Sequence, residues 1–318
     1  MTHHLVAGGG GFIGSHMVDV LLGRGDTVTV VDNFVTGRRS NVAHLATHPR
    51  FAVVEHDITE PLPSSITDGA YDTVLDLASP ASPVDFATMP LEILAVGSTG
   101  TRRLLDLALA QNARFFLAST SEVYGDPLVH PQPETYLGNV SCTGPRSCYD
   151  EAKRFSEAIT MAYRRVHGLD VRIARIFNTY GERMRPDDGR VVNTFVVQAL
   201  RGEPLTLHGD GSQTRSFCHV SDEVRGLIAV LDGNITGPVN VGNPAEFTMR
   251  QLAELVVELA RSSSAITAMP LPAEREGDPL KRQPDITLIE SAYGWRPSIE
   301  LREGLGRMIE HFCVNEQI

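Results

Sequence analysis

Leu5-Val6-Ala7-Gly8-Gly9-Gly10-Gly11-Phe12-Ile13-Gly14 opens the chain with a short apolar run, broken by four glycines. A helical pattern follows, with Ile13, Met17, Val20 and Leu21 predicted on its apolar face. The glycines fit both Gly9-x-Gly11-x-x-Gly14 and the wider Gly8-x-x-Gly11-x-x-Gly14. Such a strand-to-helix turn lets a pyrophosphate reach main-chain N–H groups at the helix N-terminus. A second strand, Thr27 to Val31, ends in Asp32. A carboxylate there accepts hydrogen bonds from both hydroxyls of a ribose and repels a 2′-phosphate, which predicts NAD rather than NADP. Arg38 and Arg39 argue the other way, but Asp32 sits on the strand end itself.

Further strands are predicted at Phe51 to Glu55, Thr73 to Leu77, Phe115 to Ala118 and Val171 to Ile176, with helices between them. One helix is expected over Leu91 to Gln111, with Leu94, Leu104, Leu105 and Ala108 needing a packing partner. This alternation predicts an α/β fold: a Rossmann-type, doubly wound parallel sheet with helices on both faces. After about Phe177 loops lengthen and Arg becomes frequent beside glycines. We therefore expect a dinucleotide-binding domain over 1–176, with about 213–241 returning to it, and a smaller α/β substrate domain over 177–318. Thr248-x-x-Gln251 reads as a capping box ahead of Leu252, Leu255, Val256 and Leu259. The last helix should bury Leu301, Leu305, Met308, Ile309 and Phe312.

The 318 residues, 42% hydrophobic and 21% charged, describe a globular protein. No apolar run is long enough to span a membrane. Met1-Thr2-His3-His4 leads almost at once into a strand, which predicts no signal peptide. Cys142, Cys148, Cys218 and Cys313 have neither metal-ligand nor disulfide-framework spacing, and no metal is expected. These features predict a cytoplasmic protein. A net charge of −11 argues against nucleic-acid binding. An anionic substrate would need a local cluster of Arg.

Arg146-Ser147-Cys148-Tyr149-Asp150-Glu151-Ala152-Lys153 opens a helix expected to run to about Val166. Tyr149 and Lys153 are four apart and share a face. A phenol ionises near pH ~10. A neighbouring ammonium favours the phenolate, so Lys153 is expected to lower the pKa of Tyr149. Such a pair can take a proton from a sugar hydroxyl. Cys148 has no base nearby in sequence and reads as a packing residue.

The glycine fingerprint, Asp32, the Ser/Thr cluster at the fifth strand end and Tyr149-x-x-x-Lys153 together resemble the extended short-chain dehydrogenases/reductases. A narrower likeness is to the UDP-glucuronate decarboxylases (UDP-xylose synthases), over about Leu5 to Phe312. Ser79-Pro80-Ala81-Ser82-Pro83 and Arg146-Ser147-Cys148-Tyr149-Asp150-Glu151 are its most specific segments. It extends through Asp32-Asn33-Phe34-x-Thr36-Gly37-Arg38, Ser119-Thr120-Ser121-Glu122-Val123-Tyr124-Gly125 and Arg175-Ile176-Phe177-Asn178 to Gly209-Asp210-Gly211-x-Gln213-Thr214-Arg215 and Lys281-Arg282. The chain departs from the pattern at Asp76, where a His is usual, and at Gly97, where an Asn is usual. It also departs at Leu137, Ser141, Cys142 and Pro145 in the loop before Tyr149. Gly97 is expected to loosen its helix.

The resemblance implies NAD-dependent decarboxylation of UDP-glucuronate through a 4-keto intermediate to UDP-xylose, with some 4-keto pentose escaping as a variant outcome. Tyr149 would take the O4 proton while tightly held, recycled NAD takes the C4 hydride. Lys153 would bind the nicotinamide ribose, Thr120 would orient O4, and Glu122 and Arg282 would handle the carboxylate and the later protonation. The cofactor would contact Gly8, Gly11, Phe12, Ile13, Gly14, Asp32, Asn33, Phe34, Thr36, Gly37, Asp57, Ile58, Leu77, Ala78, Ser79 and Ser119, besides Tyr149 and Lys153. The UDP-sugar would contact Pro80, Ser82, Ser121, Asn178, Arg185, Val192, Thr206, His208, Gln213, Arg215 and Arg275. A homodimer is implied through the helices near 91–111 and 149–166. The competing readings are a C4-epimerase, a 4,6-dehydratase and a non-catalytic NAD-binding regulatory protein. Ser121 speaks against the dehydratase, and intact Thr120, Tyr149 and Lys153 speak against the last.

Overall fold

The computed structural model describes residues 1–270, 281–316 and 318. Seven parallel strands form one sheet in the order Pro238–Val241, Val171–Ile176, Arg114–Thr120, Thr73–Asp76, His3–Ala7, Thr27–Asp32, Phe51–Glu55. The chain starts in the middle and winds outward both ways. The strand order therefore reverses between His3–Ala7 and Thr73–Asp76, and a crevice opens there beyond the strands' carboxyl ends. The predicted parallel α/β sheet is present.

Side chains alternate across the sheet, and both faces are buried. Leu5, Ala7, Phe115 and Leu117 pack on one face with Val74, Leu104 and Leu105. Val6, Phe116 and Ala118 pack on the other with Met17, Leu21, Leu227 and Trp295. A third core of Phe195, Val196, Leu252, Leu305, Met308 and Phe312 lies beyond the sheet. Both halves of the Thr248–Gln251 capping box form ahead of the helix Met249–Leu259. The final helix, Leu301–Asn315, buries all five residues expected.

Two local expectations are corrected. The first helix, Phe12–Gly23, buries Val18 and Leu22, whereas Val20 is exposed. The glycine turn rotates the stripe so that positions 18 and 22, not 20, point inward. The middle helix is broken into Pro90–Ala95, a π-helical turn Val96–Gly100, and Thr101–Ala110, with Leu94 exposed and Ile93 buried. Gly97 lies inside that π-helical turn. A Cβ there would lie 2.8 Å from the Ala152 Cβ, and Ser156 Oγ donates to the Gly97 carbonyl at 2.7 Å. The glycine lets the middle helix press against the helix Ser147–His167.

Candidate active site

The glycine turn forms one end of the crevice. Gly8 has φ +78, and a Cβ on it would meet the Leu77 main chain at 2.7 Å. A Cβ on Gly14 would come within 2.1 Å of the Gly8 carbonyl oxygen. Only bare backbone fits, so N–H groups line the cleft. The helix Phe12–Gly23 has no acid in its first turn to cancel its positive end. Asp32 accepts from Gly10 N and Phe34 N, both at 2.8 Å, and burial raises its carboxyl above the usual range. Asn33, Thr36, Gly37, Asp57, Ile58, Ala78 and Pro80 line the same end of the cleft as Asp32. Phe34 lies beneath, its ring close to Gly10 and under the Arg39 guanidinium. Asp57 is held by Asn33 Nδ2 (2.9 Å) and Thr59 N (2.8 Å).

A dinucleotide fits this cradle. The two arginines that could have held a 2′-phosphate are already engaged. Arg38 makes a bidentate pair with Glu316 (2.9 and 2.6 Å), and Arg39 pairs with Glu55. The site therefore suits an unphosphorylated adenosine ribose.

At the centre of the crevice, Gly8, Gly11, Phe12, Ile13, Gly14, Leu77 and Ser79 face Ser119, Thr120, Ser121, Glu122, Tyr149 and Lys153. The fifth strand runs two residues further than expected, to Thr120, which delivers Ser119 and Thr120 to the strand end. Thr120 Oγ1 caps the turn Ser121–Tyr124 by accepting from Glu122 N at 3.2 Å, and Thr120 lines the same cleft as the Tyr149 phenol. Ser119 Oγ donates to Glu157 at 2.6 Å. Tyr149 stacks on Phe86, 4.9 Å between ring centres at 19°.

The expectation for Tyr149 is reversed. Burial pushes its phenol up to about 12, against the opposing influence of the Thr120 hydroxyl. Lys153 Nζ instead donates to the Ala118 carbonyl at 2.9 Å and feels the charges of Asp76 and Glu157. Burial lowers the Lys153 pKa, and Asp76 opposes that fall. Ionising the buried phenol thus costs about 3 kcal/mol more than in water. Asp76, one of the departures from the family pattern, is wholly buried with Thr101 Oγ1 donating to it at 2.8 Å.

Glu122 stands where the central cleft meets a second one. It is not a surface carboxylate paired with a Lys. Arg146 Nη2 reaches it at 2.6 Å, and Arg282 Nη1 makes a short charge-assisted bond to its other oxygen. Despite burial, the two arginines hold the Glu122 carboxyl down to about 2. Arg282 also donates to the Gly125 carbonyl at 3.1 Å, while its buried Nε has no partner among the described residues.

The second cleft gathers Asn178, Arg190, Val192, Thr206, His208, Gln213, Arg215 and Arg282. Arg185 lines the central cleft instead, tied to Asp85 at 2.6 Å. Ser82 is buried, caps the helix Pro83–Thr88 and donates to the Asp188 carbonyl, which fixes a loop rather than lining the cleft. Arg275 lies outside the described residues. Four neighbours of the chemistry had no role assigned from sequence: Arg146, Asp150, Phe86 and Arg190. Arg146 and Asp150 did carry a signal, being four apart at the start of the helix that bears Tyr149.

Fold and site together define a nucleotide-sugar enzyme of the short-chain dehydrogenase type. The family model described as GDP-mannose 4,6 dehydratase matches residues 5–308, and the chain belongs to that family. Within it the chain is a member of the UDP-glucuronic acid decarboxylases. It is 52% identical to UDP-glucuronic acid decarboxylase 1 of Arabidopsis thaliana over 97% of this chain and 69% of that protein. It is 51% identical to decarboxylase 3 of the same plant over 97% of this chain and 88% of the relative. Among solved structures, it is similar to UDP-glucuronic acid 4-epimerase from Bacillus cereus in complex with UDP-glucuronic acid and NAD. That match has a TM-score of 0.87 and 25% identity, covering 98% of this chain and 99% of the other.

Proposed function

We infer that the protein is an enzyme that decarboxylates UDP-glucuronate to UDP-xylose with NAD as a recycled cofactor. The observation that carries this reading is that Thr120, Tyr149 and Lys153 line one cleft with Glu122, which is paired to Arg282. A plain dehydrogenase needs only the first three. The Glu122–Arg282 pair suits a carboxylate that must be bound and then lost. Relatives about 50% identical over nearly the whole chain support it.

NAD, when bound along Gly8, Gly11, Gly14, Asp32 and Asp57, supplies the oxidation and the returning reduction at C4. The chain's own residues do the rest. Thr120 orients O4, and Tyr149 takes its proton. With a ketone at C4 the substrate is a β-keto acid, whose C5–carboxylate electrons flow onto O4 as carbon dioxide leaves. The Tyr149 hydroxyl donates to that oxygen, in place before charge develops. Arg282 holds the carboxylate, and Glu122 beside it favours the neutral product. Asn178, Arg190, Arg215 and Gln213 would bind the UDP half, the planar guanidinium forks suiting its phosphates.

The strand Pro238–Val241, paired to Val171–Ile176, supports a dinucleotide-binding unit made of 1–176 and about 213–241, with the remainder holding UDP. Exposed Leu91, Leu94, Phe155 and Val166 on the middle helix and the Tyr149 helix support pairing of two copies there. Four free cysteines fit a reducing, cytoplasmic setting.

Incubation with UDP-glucuronate and NAD tests the reading, with products followed by mass. Carbon dioxide and a UDP-pentose without net reduced cofactor are the expected result. Accumulating reduced cofactor would mean that the 4-keto sugar escapes. Conversion to an isomer of unchanged mass would replace the decarboxylase with an epimerase.

A further inference from the structure

The reaction read above consumes a proton. A carboxylate leaves as neutral carbon dioxide, and the hydrogen that replaces it on C5 comes ultimately from water. Tyr149 is not the net source, because the proton it takes from O4 is back on O4 when the cycle closes. One proton per turnover therefore needs a way in.

Adjoining Glu122 is a separate chamber, lined by Glu122, Gly125, Asp126, Ser141, Arg146 and Asp150 among others. Asp126 and Ser141 are exposed at its mouth. Asp150 is buried at 6% exposure, and its Oδ1 has no hydrogen-bond partner among the described residues. Glu122 borders both this chamber and the two clefts of the crevice. It is the one group common to all three among the described lining residues.

The charged groups around Asp150 come from several elements. Glu122 comes from the turn Ser121–Tyr124, Asp126 from the loop after it, Arg282 from the strand Lys281–Arg282, and Arg146 and Glu151 from its own helix. The buried Tyr149 phenol and Cys148 thiol are adjacent on that helix. Burial and then the Glu122 charge push the Asp150 carboxyl up to about 7, outweighing Arg146 and Arg282. Two carboxyls beside one chamber thus divide their tasks, one ionised and one able to hold a proton near neutrality.

Resting on the decarboxylase reading, we propose that Asp150 is the proton-entry residue, taking a proton from water in the chamber and passing it to Glu122, which delivers it to C5. The Asp150 O–H bond breaks as a Glu122 O–H forms. That bond breaks in turn as C5–H forms, and water reprotonates Asp150, so one proton is consumed for each carbon dioxide released. Glu122 accepts the proton when a substrate carboxylate draws on Arg282 and weakens the pair that keeps Glu122 ionised. Asp150 is a positioning residue: it acts through Glu122 and does not touch substrate.

The test compares full-length, NAD-loaded wild type with Asp150→Asn and Asp150→Ala across pH 6 to 9. For Asp150→Asn, kcat should fall about tenfold while KM for UDP-glucuronate stays within about twofold. The wild-type decline in kcat above about pH 7 should be lost. Formate should restore part of the rate of Asp150→Ala. A kcat within about twofold of wild type with an unchanged pH profile would overturn the proposal. So would a loss carried by KM with kcat retained, or a fall in the kcat of Asp150→Ala that formate does not restore.

Thermal unfolding gives a readout besides activity. The folded carboxyl is raised above the unfolded value of about 3.9, so its contribution to stability is fully present below that pH and lost as pH rises through about 7. Asp150→Asn should gain on wild type over that window, and parallel curves would overturn the assignment of the proton to Asp150. Wild type that releases no carbon dioxide sinks the decarboxylase reading and the relay together. Failure confined to the Asp150 variants sinks only the relay.

Discussion

The nucleotide end of the crevice is made of backbone, and the sugar end is made of side chains. At the first, Gly8, Gly11 and Gly14 leave main-chain donors bare at strand ends that consecutive β–α units place side by side. At the second, Arg146, Arg190, Arg215 and Arg282 converge from four separated segments, and Asp188 and Glu122 hold three of them. Backbone sites tolerate no added atom. Side-chain sites should tolerate loss of a member and fail by degrees.

The sharpest tests of this contrast begin where the two ends meet. Tyr149→Phe should cut decarboxylation by about a thousandfold or more while NAD and UDP still bind by calorimetry. Turnover near wild type would remove the proposed base. Glu122→Gln should lower kcat by about a hundredfold and leave UDP affinity unchanged, because the charge acts on the carboxylate and not on the nucleotide. An unaltered rate would make Glu122 a structural partner of Arg146 and Arg282. At the backbone end, Gly14→Ala puts a Cβ on the Gly8 carbonyl. Overpacking of about 1–3 kcal/mol should weaken NAD binding roughly tenfold to a hundredfold, as read from cofactor retained on purification. Retention equal to wild type would show that the turn can give. At the side-chain end, Arg215→Ala should raise KM by about tenfold with kcat unchanged. A loss in kcat instead would erase the distinction between the two ends.

That same contrast decided what could be read in the chain itself. The backbone end is local: glycine spacing, a strand and a terminal Asp32 lie within some 30 residues, and each has a fixed structural meaning. The capping box and last helix are local too. The sugar end is not. Arg282 reaches Glu122 because the two-residue strand Lys281–Arg282 pairs with Thr214–Ser216, a register that no periodicity announces. The ionisation of Tyr149 is not legible in the sequence for a related reason. Helical spacing gave the Tyr149–Lys153 face correctly, but burial outweighs the neighbouring charge, and Lys153 turns toward Ala118 and Asp76. The role of Gly97 likewise depended on Ala152 across a helix contact.

The last strand to join the sheet has a bearing on how the protein is made. Val171–Ile176 has its outer edge bare until Pro238–Val241 arrives, about 65 residues later. At a synthesis rate of about 5–20 residues per second, that edge waits for several seconds on the ribosome. During that interval it offers unpaired main-chain groups to any other nascent strand. Arg172 and Arg175 lie on this edge strand, and once the fold is complete they pair with Asp170 and Glu157. In the growing chain, their charges stand guard over an edge that the sheet has not yet covered.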